Sequence, residues 1–390
     1  MENPKRQALA LLEQANIESL YIPVEVIRQS FSWPSVKAII RNKAVCSSFN
    51  SMMLEKSFIN LHLSRAPRNK WLTELDGNRS EVSFLMKNKE NTLSTKQYGS
   101  LRKGWKPVTS YNGILCSIRR VFATAAGGPD IKIGFKAHFA NLATMQFSPI
   151  SEFLHYEEDC YPLTGFGWES VNDIYKLVML LPTTTGEIST RVHNVGSSDW
   201  RTIDQNFPGI PLWNVSYDVP HRFMRKGAFI NGSLNWLAKD INAKAVFYVQ
   251  LNLELESFGR KSLPRNLDIT YMRNPNITVL KERLVFSYFS KSRKTFEVWR
   301  QEDLMNEDSW MRLASIAKSE LGMADEEWQV GVPLLVMDSF DNGIIMMAKT
   351  LSGVVLFYNC NEQTVFGDYR LPGIPWIDGS CFVQSLVKPW

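Results

Sequence analysis

Five histidines, five cysteines and a scatter of carboxylates are the residues here that could do chemistry, and their spacing argues against most of it. His62, His138, His155, His193 and His221 stand far apart, and none forms the H-x-x-x-H pair that sets two metal ligands on one helix face. Cys46, Cys116, Cys160, Cys360 and Cys381 are odd in number and make no C-x-x-C, so they read as buried free thiols in a reducing compartment. Glu157-Glu158-Asp159 beside Cys160 reads as a solvated loop. Asp338 and Asp341 flank a turn; paired carboxylates can hydrolyse glycosides, but Asp is also an ordinary turn residue. G-x-S-x-G and the phosphate-binding G-x-x-x-x-G-K-[ST] are absent, and Gly165-x-Gly167 lacks the third glycine and following helix of a dinucleotide loop. Nothing assembles a nucleophile, a base and an oxyanion stabiliser, so the chain reads as non-catalytic, with no cofactor and no metal.

The twelve tryptophans divide by position. Trp200, Trp236, Trp299 and Trp310 fall inside or just after strand patterns, where they would pack between sheets. Trp105, Trp213, Trp328 and Trp376 lie in Pro/Gly-rich or acidic loops and are the candidate substrate-contacting aromatics.

The elements that must position these residues change character along the chain. Of 390 residues, 44% are hydrophobic and 21% charged, a globular composition that excludes disorder and coiled coil. No apolar run reaches the ~18–20 residues of a membrane span, and the start lacks the apolar core of a secretory signal. Four N-x-[ST] sequons, at Asn78, Asn214, Asn231 and Asn276, then read as chance matches, and the expected location is the cytoplasm or nucleus. The net charge of +5 is concentrated: residues 61–110 hold ten Lys/Arg and four acids, and the remainder is close to neutral. That excess sits in an Asn/Ser/Lys-rich stretch rather than over a predicted folded face, so nucleic acid is not the expected partner.

Residues 1–19 carry a short helical stripe (Ala8, Leu9, Leu11, Leu12, Ala15). Between 20 and 64 the spacing predicts three short helices. Pro23 opens the first, with Val26, Ile27 and Phe31 on one face; Pro34 stops it and Ser35 caps the next. Val36, Ile39, Ile40, Val45, Cys46 and Phe49 follow at three- and four-residue steps. Such a unit is too small to bury a core alone and needs a surface to pack on. Residues 65–108 read as a basic, partly ordered connector. From 109 to 390 short β-rich runs recur between Gly, Pro, Asn and Asp: Ile114–Ile118, Tyr175–Leu181, Ala228–Leu237, Ala245–Leu251, Leu284–Phe289, Phe296–Trp299, Gly343–Met347 and Val354–Tyr358. Asn-Gly precedes an apolar run at Asn112, Asn231 and Asn342, a tight-turn signal. So many short strands suit radial repetition of small sheets, about six at ~40–50 residues each. The expected fold is α+β and multidomain: a three-helix module followed by a large all-β, propeller-like domain.

Two stretches resemble a known family. Leu20-Tyr21-Ile22-Pro23-Val24-Glu25-Val26-Ile27, Val36 to Phe49 and Phe58-Ile59-Asn60-Leu61-His62-Leu63 resemble an F-box. Asn112 to Cys116, Gly165-Phe166-Gly167-Trp168, Ser198-Asp199-Trp200-Arg201, Gly227 to Ala238 and Phe296-Glu297-Val298-Trp299 are similar to the F-box-associated domain of plant F-box proteins. The resemblance covers about residues 20–380. It implies a substrate-recognition adaptor of an SCF-type ubiquitin ligase. The F-box would dock on a Skp-type adaptor, and through it a cullin scaffold, while the β domain captures an unidentified protein. On this reading Ile22, Pro23, Val26, Ile27, Val36, Ile39, Ile40, Val45, Cys46 and Phe49 make the dock. Ile22 and Pro23, ahead of the first helix, are better placed for contact than Ile39.

The sequence departs from the family pattern. Ser30 stands where Ile is usual, Asn42 replaces Phe, Phe49 replaces Trp, and Trp33-Pro34-Ser35 brings the proline one residue early. Burying an apolar side chain contributes roughly 1.5–3 kcal/mol, so such losses weaken docking by about one or two powers of ten. Two other readings remain: a β-propeller interaction platform with a non-docking F-box, acting outside ubiquitination, and a propeller glycosidase using Asp338 and Asp341.

Overall fold

The structure is a computed structural model. It describes residues 22–389 apart from 77–78, 88–92, 102–103, 125–130, 156–161, 184–186, 213–225, 241, 266, 268, 326–333, 340–342, 350–353 and 371–377. The expected helix over residues 8–15 lies outside the described residues.

Among the described residues four helices precede the sheets: α1 Val24–Phe31, α2 Val36–Asn42, α3 Ser47–Leu54 and α4 Lys56–Arg65. Three were expected. Tight turns at Ala44 and Val45 end α2, and Cys46 is fully extended (φ −157°, ψ 163°). Glu55 is extended too (φ −67°, ψ 137°) and parts α3 from α4. Val45 and Cys46 therefore lie in a connection rather than on a helix face. Ser35 does cap α2, its hydroxyl accepting from the Ala38 amide at 3.4 Å.

Among the described residues twenty-six strands follow in six antiparallel sheets. The first contains β1 Arg68–Asp76, β2 Arg79–Lys87 and β3 Leu93–Leu101. The stretch expected as a basic connector is thus three strands. Its high Lys/Asn/Ser content hid them because alternating polar strands lack an apolar run. The second sheet has β4 Lys106–Tyr111, β5 Ile114–Thr124, β6 Ile131–Asn141, and edge strands β7 Gln146–Phe147 and β8 Ser151–His155. The third has β9 Leu163–Glu169, β10 Ile174–Pro182, β11 Ile188–Asn194 and β12 Trp200–Ile203. The fourth has β13 Ile210–Pro211, β14 Ala228–Ile230, β15 Ser233–Asp240, β16 Ala245–Asn252 and β17 Ser257–Ser262. The fifth has β18 Met272–Leu280, β19 Arg283–Ser290, β20 Thr295–Gln301 and β21 Trp310–Ala317. The sixth has β22 Leu334–Ser339, β23 Ile344–Lys349, β24 Val354–Asn359 and β25 Thr364–Arg370. The last strand, β26 Asp378–Val383, returns to pair with β1 from Arg68↔Val383 to Thr73↔Asp378.

Contacts between sheets run in a cycle. β26 meets β4, β4 meets β9, β9 meets β14, β14 meets β18, β18 meets β22, and β22 meets β26. Four apolar clusters each span two neighbouring sheets: Val108, Phe135 and Phe139 with Phe166 and Leu177; Val178 with Trp236 and Val249; Leu237 and Tyr248 with Phe286; Val285 and Phe296 with Val336 and Met347. Each of these sheets therefore buries both faces, which explains the near-continuous apolar runs of the second strands.

Turn chemistry carries the repetition. Asn112-Gly113 and Asn231-Gly232 turn with positive φ at both residues (49° and 82°; 45° and 70°) between the first and second strands of their sheets. Gly343 (φ 79°) stands before the second strand of the sixth sheet. The Asn231-Gly232 turn splits the expected single run Ala228–Leu237 into β14 and β15. A second device was missed in the sequence. Asn141, Asn252 and Asn359 each end a third strand, and each side-chain oxygen accepts two amides of the following turn. In the first two sheets concerned an aromatic follows six residues later, Phe147 and Phe258. An Asn-x5-aromatic spacing was the signal available.

Gly165 and Gly167 make room for the next sheet. A Cβ on Gly165 would lie 2.6 Å from Trp236 Cζ2, and one on Gly167 would lie 2.2 Å from Phe229. The Trp236 indole donates to the Thr164 carbonyl at 3.2 Å. Near the opposite rim, Lys176 Nζ donates to the Leu253 carbonyl (2.6 Å) and to Glu256 (2.9 Å), which also pairs with Arg201. Burial opposes ionisation of Glu256, yet Arg201 and Lys176 hold its carboxyl below the ordinary range.

Candidate docking surface

The helices build a small core of Val36, Ile39, Met52, Met53 and Phe58, with Ile27, Phe31, Phe49 and Ile59 at its edge. Phe31 and Phe49 pack with ring centroids 5.0 Å apart. This core is closed by two groups from the sheets: Leu386, in the tail after β26, and Ala143, in the turn after β6. The tail is itself anchored. Asn141, fully buried, donates to the Ser385 carbonyl (2.9 Å) and the Val387 carbonyl (2.7 Å), and Ser385 Oγ donates to the Asn112 carbonyl (2.6 Å). A Cβ on Gly113 would fall 2.3 Å from Ser385 Oγ. Lys56 of α4 reaches Asp173 in the β9–β10 turn at 2.8 Å. The helices therefore sit over the second and third sheets, at the end carrying the first and third hairpins.

Polar contacts lock α4 to the first helix and its exit. Arg65 donates to the Gln29 carbonyl (2.8 Å), to Gln29 Oε1 and to Ser32 Oγ, and lies 4.7 Å over the Trp33 ring. Arg28 pairs with Glu55 (2.7 Å) and donates to Ser57 (2.6 Å). His62 is buried, with Nε2 3.1 Å from the Pro34 carbonyl. Nε2 carries the proton in that bond, which leaves Nδ1 a buried acceptor without a hydrogen-bond partner. Burial lowers the His62 pKa below the ordinary 6.5, against the opposing pull of the Pro34 carbonyl. Its folded pKa being the lower one, the unfolded chain takes up a proton first as pH falls. Stability is thus full above about pH 6.5 and declines below it until the lowered folded pKa is passed. Thermal melts between about pH 7.5 and pH 5 are expected to show this loss, and His62→Gln to flatten it in part. His193, also lowered by burial, acts in the same direction.

The residues expected to dock fall into three groups. Ile22 (52% exposed), Pro23, Val26 (52%), Ile40 (40%), Val45 (67%) and Cys46 are on the surface. Ile27 and Phe49 are half-buried. Val36 and Ile39 are fully buried against Leu386 and Met53 and cannot be the contact surface as they stand. Helical spacing could not sort core from surface here, because the core's second wall comes from more than 300 residues away in the chain. The spacing also missed Val24, Trp33 and Leu54, all exposed apolar residues of the same module. Together these leave more apolar surface exposed than so small a unit ordinarily carries.

Among the described residues the other candidates do not converge. Trp105, expected on the surface, is buried beside His138, ring centroids 5.4 Å apart, because strand β4 begins at the next residue and draws it inward. Trp213, Trp328 and Trp376 lie outside the described residues, as do His221, Asp341, Glu157-Glu158-Asp159 and Cys160. His193 is a packing residue: its Nδ1 lies 3.3 Å from Ser151 Oγ and 3.1 Å from the Asp199 carbonyl, and its ring stacks on Trp200 at 4.9 Å. Trp200 and Trp236 do pack between sheets, and Trp299 and Trp310 join the cluster of the fourth and fifth. Among the described residues no His/Cys/Asp/Glu group could hold a metal ion, and no helix is long and apolar enough to cross a membrane.

No protein-family model matches the chain. It is similar to an Arabidopsis thaliana protein named as an F-box/kelch-repeat protein, 23% identical over 389 residues, covering 94% of this chain and 96% of that one. It is also similar to one named as a putative F-box protein from the same plant, 22% identical over 318 residues, covering 78% of this chain and 73% of the relative. Among solved structures, a chain of a nidogen/laminin complex superposes with TM-score 0.48 at 8% identity, covering 82% of this chain and all of that one. Apo AztD from Citrobacter koseri does so with TM-score 0.42 at 9% identity, over 83% of this chain and all of that one. The sequence comparisons thus support kinship, at low identity, with plant F-box proteins.

Proposed function

We propose that this chain is the substrate-recognition adaptor of an SCF-type ubiquitin ligase, acting in the cytoplasm or nucleus and non-catalytic itself. In this reading the module from Ile22 to Arg65 docks a Skp-type adaptor, which joins a cullin scaffold. The ring of six sheets is a propeller-like platform that captures a protein for ubiquitination. One observation carries the reading: Ile22, Val24, Val26, Trp33, Ile40, Val45 and Leu54 stay exposed although the module's own core is already closed by Leu386. An apolar face left over after the core is complete is the surface a partner helix groove needs. The similarity to F-box proteins along nearly the whole chain supports the same assignment.

The test is calorimetry of the full chain with a Skp-type adaptor. Wild type is expected to bind. Val26→Asp/Ile40→Asp, at two exposed positions that leave the core intact, is expected to weaken binding by at least about a hundredfold, since each apolar contact contributes roughly 1.5–3 kcal/mol. A folded wild-type chain that binds no adaptor would remove the ligase reading and leave a stand-alone interaction platform. The isolated residues 1–66 are the wrong reagent, because they lack Leu386.

A further inference from the structure

Residues 260–294 carry nine Lys/Arg against two acids, the second basic stretch of the chain. The fold sorts these cations. Arg260 pairs with Asp240 (3.2 Å), Lys261 with Glu307 (3.2 Å), Arg265 with Asp308 (2.5 Å) and Arg283 with Glu302 (3.2 Å). Arg273, Lys291 and Arg293 have no carboxylate partner among the described residues, Lys294 shares the Asp325 carboxylate with Lys318, and the fold brings these four cations to one end of the fifth sheet. Arg273 lies beside Phe289 in the β18–β19 ladder, and the other three form the β19–β20 turn. That turn is tethered: the Lys291 amide donates to the Tyr271 carbonyl (3.0 Å), and the Lys318 amide to the Lys294 carbonyl (2.9 Å). Lys318 itself is taken by Asp325. Tyr271, 50% exposed, stands alongside.

In an antiparallel four-stranded sheet the second hairpin opens at the end opposite the first and third. The helices occupy the first- and third-hairpin end of the second and third sheets. The first strands of neighbouring sheets run the same way where they meet, as at Thr164 beside Lys226. The cationic turn therefore opens on the side of the ring away from the helices.

We infer that Arg273, Lys291, Arg293 and Lys294, with Tyr271, form a recognition surface for an acidic segment of the captured protein. This rests on the capture role proposed above and adds the chemistry of what is captured. Three positive charges without a carboxylate partner, with Lys294 beside them sharing one carboxylate with Lys318, leave this hairpin end net positive, which attracts carboxylates and orients their approach, while an exposed aromatic ring adds packing for the segment's backbone. A nucleic acid is the poorer fit: a duplex or strand needs a basic stripe along several phosphates, and these cations cover one hairpin end.

The test uses the full chain and a fluorescein-labelled peptide of alternating Glu and Gly, about twelve residues long, followed by anisotropy at low salt. Lys291→Ser/Arg293→Ser/Lys294→Ser is expected to weaken binding at least about tenfold. A control with the same charge change scattered over three other sheets, Arg119→Ser/Lys244→Ser/Arg370→Ser, is expected to change it less than about twofold. Equal losses in the two variants, or no binding by wild type, would overturn the inference. So would an oligothymidylate of the same length binding more tightly than the peptide. Adaptor binding is measured on the same samples: its absence with the peptide result intact removes the ligase reading alone, and its presence without peptide binding removes this surface alone.

Discussion

Deleting residues 378–390 is expected to abolish the cooperative fold, although every described helix and the other twenty-five described strands remain in the chain. β26 supplies all the pairing between the end of the chain and its first sheet, six positions from Arg68↔Val383 to Thr73↔Asp378. It also supplies the contacts of the first sheet with β4 and β22, the two joints on either side of it. At about 1 kcal/mol net for each hydrogen bond, with buried Val383 and Leu386 added, the loss approaches the ~5–15 kcal/mol that holds a whole domain together. The truncated chain is expected to lose its sharp thermal transition in calorimetry and to be cut rapidly in limited proteolysis. A sharp transition at the wild-type temperature would show that the ring does not depend on this closure.

Leu386→Asp is the second large effect, and it is selective. The side chain is 4% exposed and touches the core of the helical module from outside the module's own sequence. Removing its methyl groups costs ~2–5 kcal/mol, and burying a carboxylate among Val36, Ile39 and Phe58 costs more. The ring does not share that cluster beyond Ala143. Hydrogen exchange is expected to lose protection over residues 24–65 while the sheet amides stay protected. Leu386→Met, which keeps the volume, is expected to restore protection. Uniform loss over the sheets would mean that the tail serves the ring and not the helices.

Elements with a local cause were legible. Ser35 as a cap, Pro23 as a start and the Asn-Gly turns at Asn112 and Asn231 follow from backbone chemistry within three or four residues, and all are found. So were the apolar second strands of the later sheets, because both their faces are buried. Strands β1 to β3 were not. Their polar composition reads as a connector, and pairing with β26 three hundred residues later makes them a sheet. The break at Glu55 and the extended Cys46 escaped periodicity for a related reason: apolar spacing marks a buried side of the chain, not the points where the backbone leaves the helix. Trp105 was expected outside because its neighbours are Gly104 and Pro107, yet β4 carries it in.

The sequence by itself determined the class of the molecule: short helices too small to stand alone, then a repeated series of small sheets. Those properties depend on composition and local spacing. The tertiary structure decided which apolar residues of the helices face outward, because Leu386 and Ala143 take one side of a core that sequence spacing leaves symmetric. It likewise decided which cations remain uncompensated, because Asp240, Glu302, Glu307 and Asp308 reach their partners only through the folding of the fourth and fifth sheets. A contact surface is what is left when the molecule's own contacts are satisfied, and those are made between residues far apart in the chain.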